Sequence, residues 1–369
     1  MGGLFRHVLD IARGQVEAGH AVGIFCDAGT GGKRADEVLE AIGPYLSLGV
    51  HRITMRRQAH PRDVAALVSL TSVYRRLRPN VLHGHGSKGG AFARLVTIPA
   101  LDRQTVRAYT PHGGSFNYNP GTLTHLVYMK AESILERRTD VFLFESEYVR
   151  DRFGAFVGGT DKLVRVIHNG IAEAEFEPLS RVSDPFDLVY IGELRAAKGV
   201  DTLIDALALI RRDSGRRLHL LAVGSGPSED ELHARAKAAG IWDSTVFAPP
   251  QPIRSALARG RIMVIPSKAE SLPYVILEAA AAAQPLVSTN VGGIGEIFGP
   301  MSDTLIPPSD PVRLAATILA KVDQPEAARR DEAKALSDYV KSRFRIDRMV
   351  EGGIQGYRDA FAARRIIPA

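Results

Sequence analysis

One cysteine, Cys26, stands in a chain of 369 residues, so an internal disulfide cannot form. The composition therefore suits a reducing, cytoplasmic setting, and Cys26, inside the apolar run AVGIFC, reads as a core residue rather than a nucleophile. No uninterrupted apolar run approaches the roughly 18 to 20 residues that a membrane-spanning helix needs, and the mean hydropathy is −0.04. The chain is expected to be soluble or membrane-peripheral. The N-terminus lacks a basic segment followed by an apolar stretch and a small-residue cleavage site, so nothing there directs secretion. Aromatic residues make up 7% of the chain, with a single tryptophan. None is interleaved with the arginine clusters as a base-stacking platform requires, which argues against nucleic acid.

What is present is apolar content and an uneven charge. At 45% hydrophobic residues over this length, two domains are the expectation, because a single core stops growing at smaller sizes. The net charge is +6, and its placement matters more than its total. Residues 1–170 carry 22 Lys and Arg against 15 Asp and Glu, while the remainder is balanced at 25 against 26. The excess gathers at Arg56 and Arg57, at Arg75, Arg76 and Arg78, and at Arg103 and Arg107. It reads either as a solvated helix face or as a surface for an anionic membrane or acceptor.

Along the chain, short β-rich apolar runs alternate with helical patterns, which implies parallel sheets covered by helices on both faces. Strand candidates in the first half are AVGIF, NVLHGH, VRAYTP, DVFLFE and VRVIH, with helices over Pro61–Arg78 and Thr122–Arg138 between them. The polar, proline-bearing stretch 172–185 reads as a linker. The alternation then restarts with FDLVYIG, LHLLAVG, VFA, IMVIPS and PLVST. The expected organisation is a first Rossmann-like domain over 1–171, a second over 186–340, and a C-terminal helix over 341–369 that crosses back to the first, within one helical stretch from about Ala327 to Arg365.

Three segments of the second half place backbone and side chains for phosphate chemistry, since α/β sheets bind ligands at the carboxyl ends of their strands beside helix N-termini. In IGELRAAKGVDTLIDAL, Arg195 and Lys198 sit between a strand and a helix, as a diphosphate clamp would, although such cations in a surface turn are ordinarily just solvated. In AVGSGP, Gly224 and Gly226 permit a tight turn and the close approach of a ligand. In SKAESLPYVILEAAA, Glu270 lies in the loop before a helix and Glu278 inside it. The segment Ser271, Leu272, Pro273, Tyr274 between them offers helix-start amides to a phosphate or sugar oxygen. Carboxylates so placed accept hydrogen bonds from sugar hydroxyls.

Taken together, IGELRAAKG, AVGSGP, PSKAESLPYVILEAAA and TNVGGIGEI resemble the donor domain of glycosyltransferase family 4, and VIHNGI resembles the segment that ends the family's first domain. The likeness continues through GGLFRHVLDIARGQVEAGHAV, VLHGHGSKGGAFARL and YTPHGG, so it spans nearly the whole chain. It implies two doubly wound Rossmann-like domains facing a cleft, the GT-B architecture, and transfer of a sugar from a nucleotide-diphosphate donor with retention at the anomeric carbon. By the resemblance, Gly2 and Gly3 belong to a loop facing the donor phosphates and Arg195 and Lys198 are the diphosphate cations. Glu270 contacts the transferred sugar, Glu278 holds the ribose, and His112 lies near the transferring carbon, with His85 and Lys88 beside it.

Two departures accompany the likeness. Glu193 stands where many members carry arginine, with Arg195 two residues later. The family's pattern also opens with an apolar strand before the paired glycines, whereas this chain opens Met-Gly-Gly. A missing central strand, from a start codon assigned too late, is the expectation, with a split or rearranged first sheet and a first ordered helix from about Leu4 to Ala18.

No cofactor is expected, since the nucleotide-sugar is a substrate, and no metal site, since His83 and His85 share a strand face but no further ligand follows at the right spacing. Glu270 and Lys198 are expected to face solvent, so that their removal cuts turnover far more than stability. The acceptor is open: a saccharide or lipid-linked molecule of polysaccharide or glycolipid synthesis, met at the membrane through the basic first half. A sugar-nucleotide epimerase of the same architecture and an inactive truncated scaffold are the alternatives.

Overall fold

The computed structural model describes residues 2–56 and 60–365; Arg57 of the first basic cluster lies outside them. The chain forms two compact units, one of Met1–Gly170 with Ile346–Ala369 and the other of Ile171–Arg345.

In the first unit the strands are β1 (Gly23–Asp27), β2 (Gly49–Ile53), β3 (Val81–His85), β4 (Val106–Thr110), β5 (Val141–Phe144) and β6 (Leu163–Val166). Strand β2 was not among the candidates, because GVHRI interrupts its apolar residues with histidine and arginine. All pairings are parallel, yet they make two sheets, β1-β2 and β3-β4-β5-β6. Strands β4 and β5 are buried at every residue, whereas β1 and β3 each bury only one, Ile24 and Gly84. Among the described residues each of these two strands pairs on one side only, so its other edge has no ladder there and its side chains are half covered. The helix Gly3–Glu17 packs Leu9 and Ala12 against Ile24 of β1. The helix Asp63–Leu77 joins a cluster holding Phe25, Ile53 and Leu82, so apolar packing ties the two sheets together where hydrogen bonds do not.

The second unit has one parallel sheet in the order β11-β10-β7-β8-β9, with β7 (Phe186–Ile191), β8 (Leu220–Val223), β9 (Thr245–Ala248), β10 (Gly260–Ile265) and β11 (Leu286–Ser288). Its central strands are continuous apolar runs because helices cover both faces.

The stretch 172–185 belongs to the second unit, where Glu173 pairs with Lys341 at 2.5 Å and Arg345 at 2.9 Å. The C-terminal stretch is two helices, Glu326–Arg343 and Ile346–Arg364. Phe344 leaves the helical conformation at φ −114°, ψ 43°, and a backbone bridge joins Ile171 to Arg345. Residues 341–345 therefore stay with the second unit, and the first unit takes only the last helix, which packs on β5 and on Gly3–Glu17.

Candidate functional site

In the second unit the loops after β7, β8, β10 and β11 are bound to one another. The Leu194 amide donates to the Ser225 carbonyl (3.0 Å), that of Lys268 to Ala197 (2.8 Å) and that of Gly293 to Ser271 (2.6 Å). Glycine is required where these backbones touch: Gly199 has φ 69°, and a Cβ there would collide with the Pro266 carbonyl, as one at Gly224 would with that of Gly192. This close packing sets the side chains. Lys198 Nζ lies 2.6 Å from Glu270 Oε1, which also accepts from Ser267 Oγ at 2.7 Å.

Glu270 is 9% exposed, so it is a buried group rather than the solvent-facing one expected; its loop folds under the Lys198 turn. Lys198 itself is partly exposed. Arg195, in the same loop, has its Nε 3.0 Å from Glu193 Oε2 but too poorly aligned to donate. Ser271 and Leu272 lead into the helix Tyr274–Ala281, whose N-cap is Pro273 with no side-chain cap, and Glu278 is half-buried within that helix. Two supports were not foreseen. Tyr190 Oη donates to the Glu193 carbonyl (2.9 Å), and burial, with the Glu270 charge, raises this phenol far above its usual range. Lys268 pairs with Asp201 at 2.6 Å across the same loops.

In the first unit, His85 ends β3 and His112 follows β4. His112 adopts φ 54°, a left-handed conformation that is uncommon for a non-glycine residue and marks strain. Its amide donates to Glu145 Oε2 at 3.1 Å, from a buried glutamate just past β5. His85 Nδ1 and His112 Nε2 are 3.2 Å apart. A third imidazole, His7, enters from the helix Gly3–Glu17, with its ring centroid 4.5 Å from that of His112 and 5.3 Å from that of His85. His7 Nδ1 lies 2.9 Å from Asn169 Oδ1. His83 stacks beside His85 at 3.9 Å, and its nitrogens are taken by Tyr357 Oη (2.7 Å) and Thr110 Oγ1 (2.8 Å).

Burial disfavours the charged form of all four rings, and neighbouring imidazoles add to this at His83, His85 and His112. It lowers His7 to about 4 and His83 to about 3, and holds His85 and His112 well below the usual histidine range. All are neutral at pH 7. The spacing argument against a metal-ligating cluster is thus corrected: His7, His85 and His112 converge from separate segments. No local pattern marked His7 or Glu145, although Asn169 lay within VIHNGI.

The remaining candidates fall elsewhere. Gly2 and Gly3 form no tight turn: Gly2 is the extended N-cap (φ −80°, ψ 161°) and Gly3 the first residue of the helix. Lys88 is held by both oxygens of Asp63 at 2.9 Å and by the Arg56 carbonyl at 2.5 Å. Arg107, counted with the surface charge, is buried and pairs with Asp102 at 2.7 Å, while Arg56, Arg75, Arg76, Arg78 and Arg103 are exposed.

Comparison with known proteins gives the family and the fold. A family model described as Glycosyltransferase Family 4 matches residues 1–175, and one described as Glycosyl transferases group 1 matches residues 172–340. A glycogen synthase from Mycobacterium tuberculosis is 29% identical over 369 residues, covering 93% of this chain and 88% of that protein. Among solved structures, sucrose-phosphate synthase from Thermosynechococcus elongatus aligns with a TM-score of 0.79 at 19% identity, over 98% of this chain and 94% of that one. Anabaena HepE in complex with UDP and glucose aligns with a TM-score of 0.77 at 17% identity, over 97% and 96%. The two models together take in residues 1–340, the loops just described among them, and the chain belongs to glycosyltransferase family 4, with the two Rossmann-like units of the GT-B fold.

Proposed function

We propose that this glycosyltransferase moves a sugar from a nucleoside-diphosphate sugar to a saccharide or lipid-linked acceptor, with retention at the anomeric carbon and with protein cations rather than a metal stabilising the leaving diphosphate. The observation that carries the reading is the Lys198–Glu270 pair, 2.6 Å apart, on four interlocked loops at the carboxyl ends of β7, β8, β10 and β11. In this reading Lys198 and Arg195 hold the diphosphate as negative charge grows on it, and the chain amides from Leu272 to Tyr274 add dipoles that need no reorganisation. Glu270 accepts hydrogen bonds from the transferred sugar and Glu278 from the ribose, while the side-chain-free Gly224 lets the donor come close to the backbone. The resemblance assigns His112 to the reacting carbon and His85 to the lining of the same cleft, and the neutral state of their rings makes them hydrogen-bond partners rather than charges.

Two further parts of the reading concern donor and place. The solved complexes of Anabaena HepE with UDP and UDP-glucose favour a UDP-sugar, and the glycogen synthase relative favours a saccharide acceptor. A cytoplasmic, membrane-peripheral setting is supported by the exposed arginines and by Leu123, Leu126, Val127 and Ile134, which the helix Leu123–Glu136 leaves exposed. No described helix is long and apolar enough to cross a membrane.

The test is a screen of UDP-, GDP- and ADP-sugars against saccharide and lipid-linked acceptors, with product mass and anomeric configuration read by mass spectrometry and NMR. A product of inverted configuration overturns retention. Conversion of the donor to its epimer without transfer shows the epimerase alternative instead.

A further inference from the structure

The four clustered imidazoles, His7, His83, His85 and His112, are more than a reacting-carbon site requires, and they divide into two kinds. His83 has both ring nitrogens occupied by Tyr357 and Thr110. His7, by contrast, keeps one ring nitrogen, Nε2, buried without a hydrogen-bond partner. One ring nitrogen from each of His7, His85 and His112 lies within 4.8 Å of the others.

The closest pair, His85 Nδ1 and His112 Nε2 at 3.2 Å, has the separation of two ligands of one tetrahedral ion. With Zn–N bonds of roughly 2.0–2.1 Å, such nitrogens sit about 3.3 Å apart. His7 supplies the second, independent sign: it is 2% exposed, and its Nε2 is buried without a hydrogen-bond partner. An orphaned buried nitrogen costs stability unless something binds it. Asn169 Oδ1 faces His7 Nδ1 at 2.9 Å. As an acceptor it fixes the proton on Nδ1 and leaves the Nε2 lone pair for a ligand, which is how outer partners orient metal-binding histidines.

We propose that His7, His85 and His112 form a binding site for one divalent first-row transition ion of the zinc class. Three neutral imidazoles and no carboxylate among the cluster's ligands suit such an ion over magnesium or calcium, which prefer oxygen. The fourth position is left to water. Binding replaces the His85–His112 hydrogen bond by two coordination bonds, and the ring that had donated moves its proton to its other nitrogen, so no proton is released. The site shares His85 and His112 with the transfer reading, but its test uses no sugar donor.

The full chain, freed of metal with a chelator that is then dialysed away, is titrated with Zn2+ in a calorimeter at pH 7.5. In parallel, Co2+ is added and the visible spectrum recorded. The expected result is one ion per chain, with the intense visible bands of four-coordinate cobalt. Asn169→Leu should weaken Zn2+ binding about 10- to 100-fold, and His7→Asn by at least as much, with folding checked by circular dichroism. The proposal is overturned by the absence of zinc heat, by the pale spectrum of six-coordinate cobalt, or by stoichiometric binding that survives His7→Asn. The cobalt spectrum of the unsubstituted chain decides the matter by itself if either variant fails to fold.

Discussion

Replacing Glu270 by glutamine keeps the shape of the side chain and its bond from Ser267 but removes the charge 2.6 Å from Lys198 Nζ. The gross attraction of such a pair, at an effective dielectric of about 20, is about 6 kcal/mol. Desolvation of both groups offsets most of it, and water still reaches Lys198, whose side chain is 18% exposed. What remains is the net value of a hydrogen bond to a charged group, about 1.5–3 kcal/mol. For a unit the size of Ile171–Arg345 a loss of about 2 kcal/mol lowers the melting temperature by about 4–8 °C. Lys198→Met should cost a similar amount, since it leaves the Glu270 carboxylate with Ser267 alone. The double variant should then be less destabilised than the sum of the two by about 1–2 kcal/mol, because the second change removes a charge already stranded.

Turnover is the second reading of the same cycle. If the lysine meets the diphosphate and the glutamate the sugar, each single variant loses at least about 100-fold in kcat/KM, on the order of 2.7 kcal/mol at the transition state. Calorimetric unfolding of the four chains and steady-state kinetics with the preferred donor supply both measurements. Stability effects that add within about 0.5 kcal/mol, together with turnover kept within a few-fold, would refute both the coupling and the donor-site assignment.

Other perturbations probe the first unit. In metal-free buffer its stability should rise with pH between about 4 and 6.5: unfolded histidines bind protons below about 6.5, whereas His7 and His83 hold out to about 4 and 3. The unfolded chain binds more protons in that window, so each group contributes up to about 1.4 kcal/mol per pH unit there, and melting temperatures level across pH 4 to 6.5 would contradict the neutral cluster. Anionic vesicles should sediment the protein at low salt and release it at high salt, since exposed arginines gain about 1 kcal/mol each near such a surface and lose it to screening; the absence of binding at both favours a soluble acceptor. An apolar, β-branched segment of about five or six residues placed ahead of Gly2 should pair with the open edges of β1 and β3 and raise both melting temperature and turnover. Equal values with and without it would mean that the two sheets of the first unit need no strand between them.

Much of the architecture was legible because parallel strands buried on both faces are written as short continuous apolar runs, as in FDLVYIG and LHLLAVG, and glycines mark the turns that follow them. The motif order around Glu270 and Lys198 carried the family for the same reason: strand, loop and helix are local and their residues contiguous. Strand β2 escaped because GVHRI lies at an edge, where half-buried positions tolerate polar residues. The last helix, expected from 341, starts instead after the break at Phe344, since nothing in a helical pattern says which unit each half will pack against. Tertiary structure alone decided that Glu270 is buried beneath Lys198, that Arg107 is an interior ion pair rather than surface charge, and that His7, His85 and His112 meet. Each of those outcomes depends on contacts between segments far apart in the chain, and periodicity reports only which face of an element is apolar, never what will be folded against it.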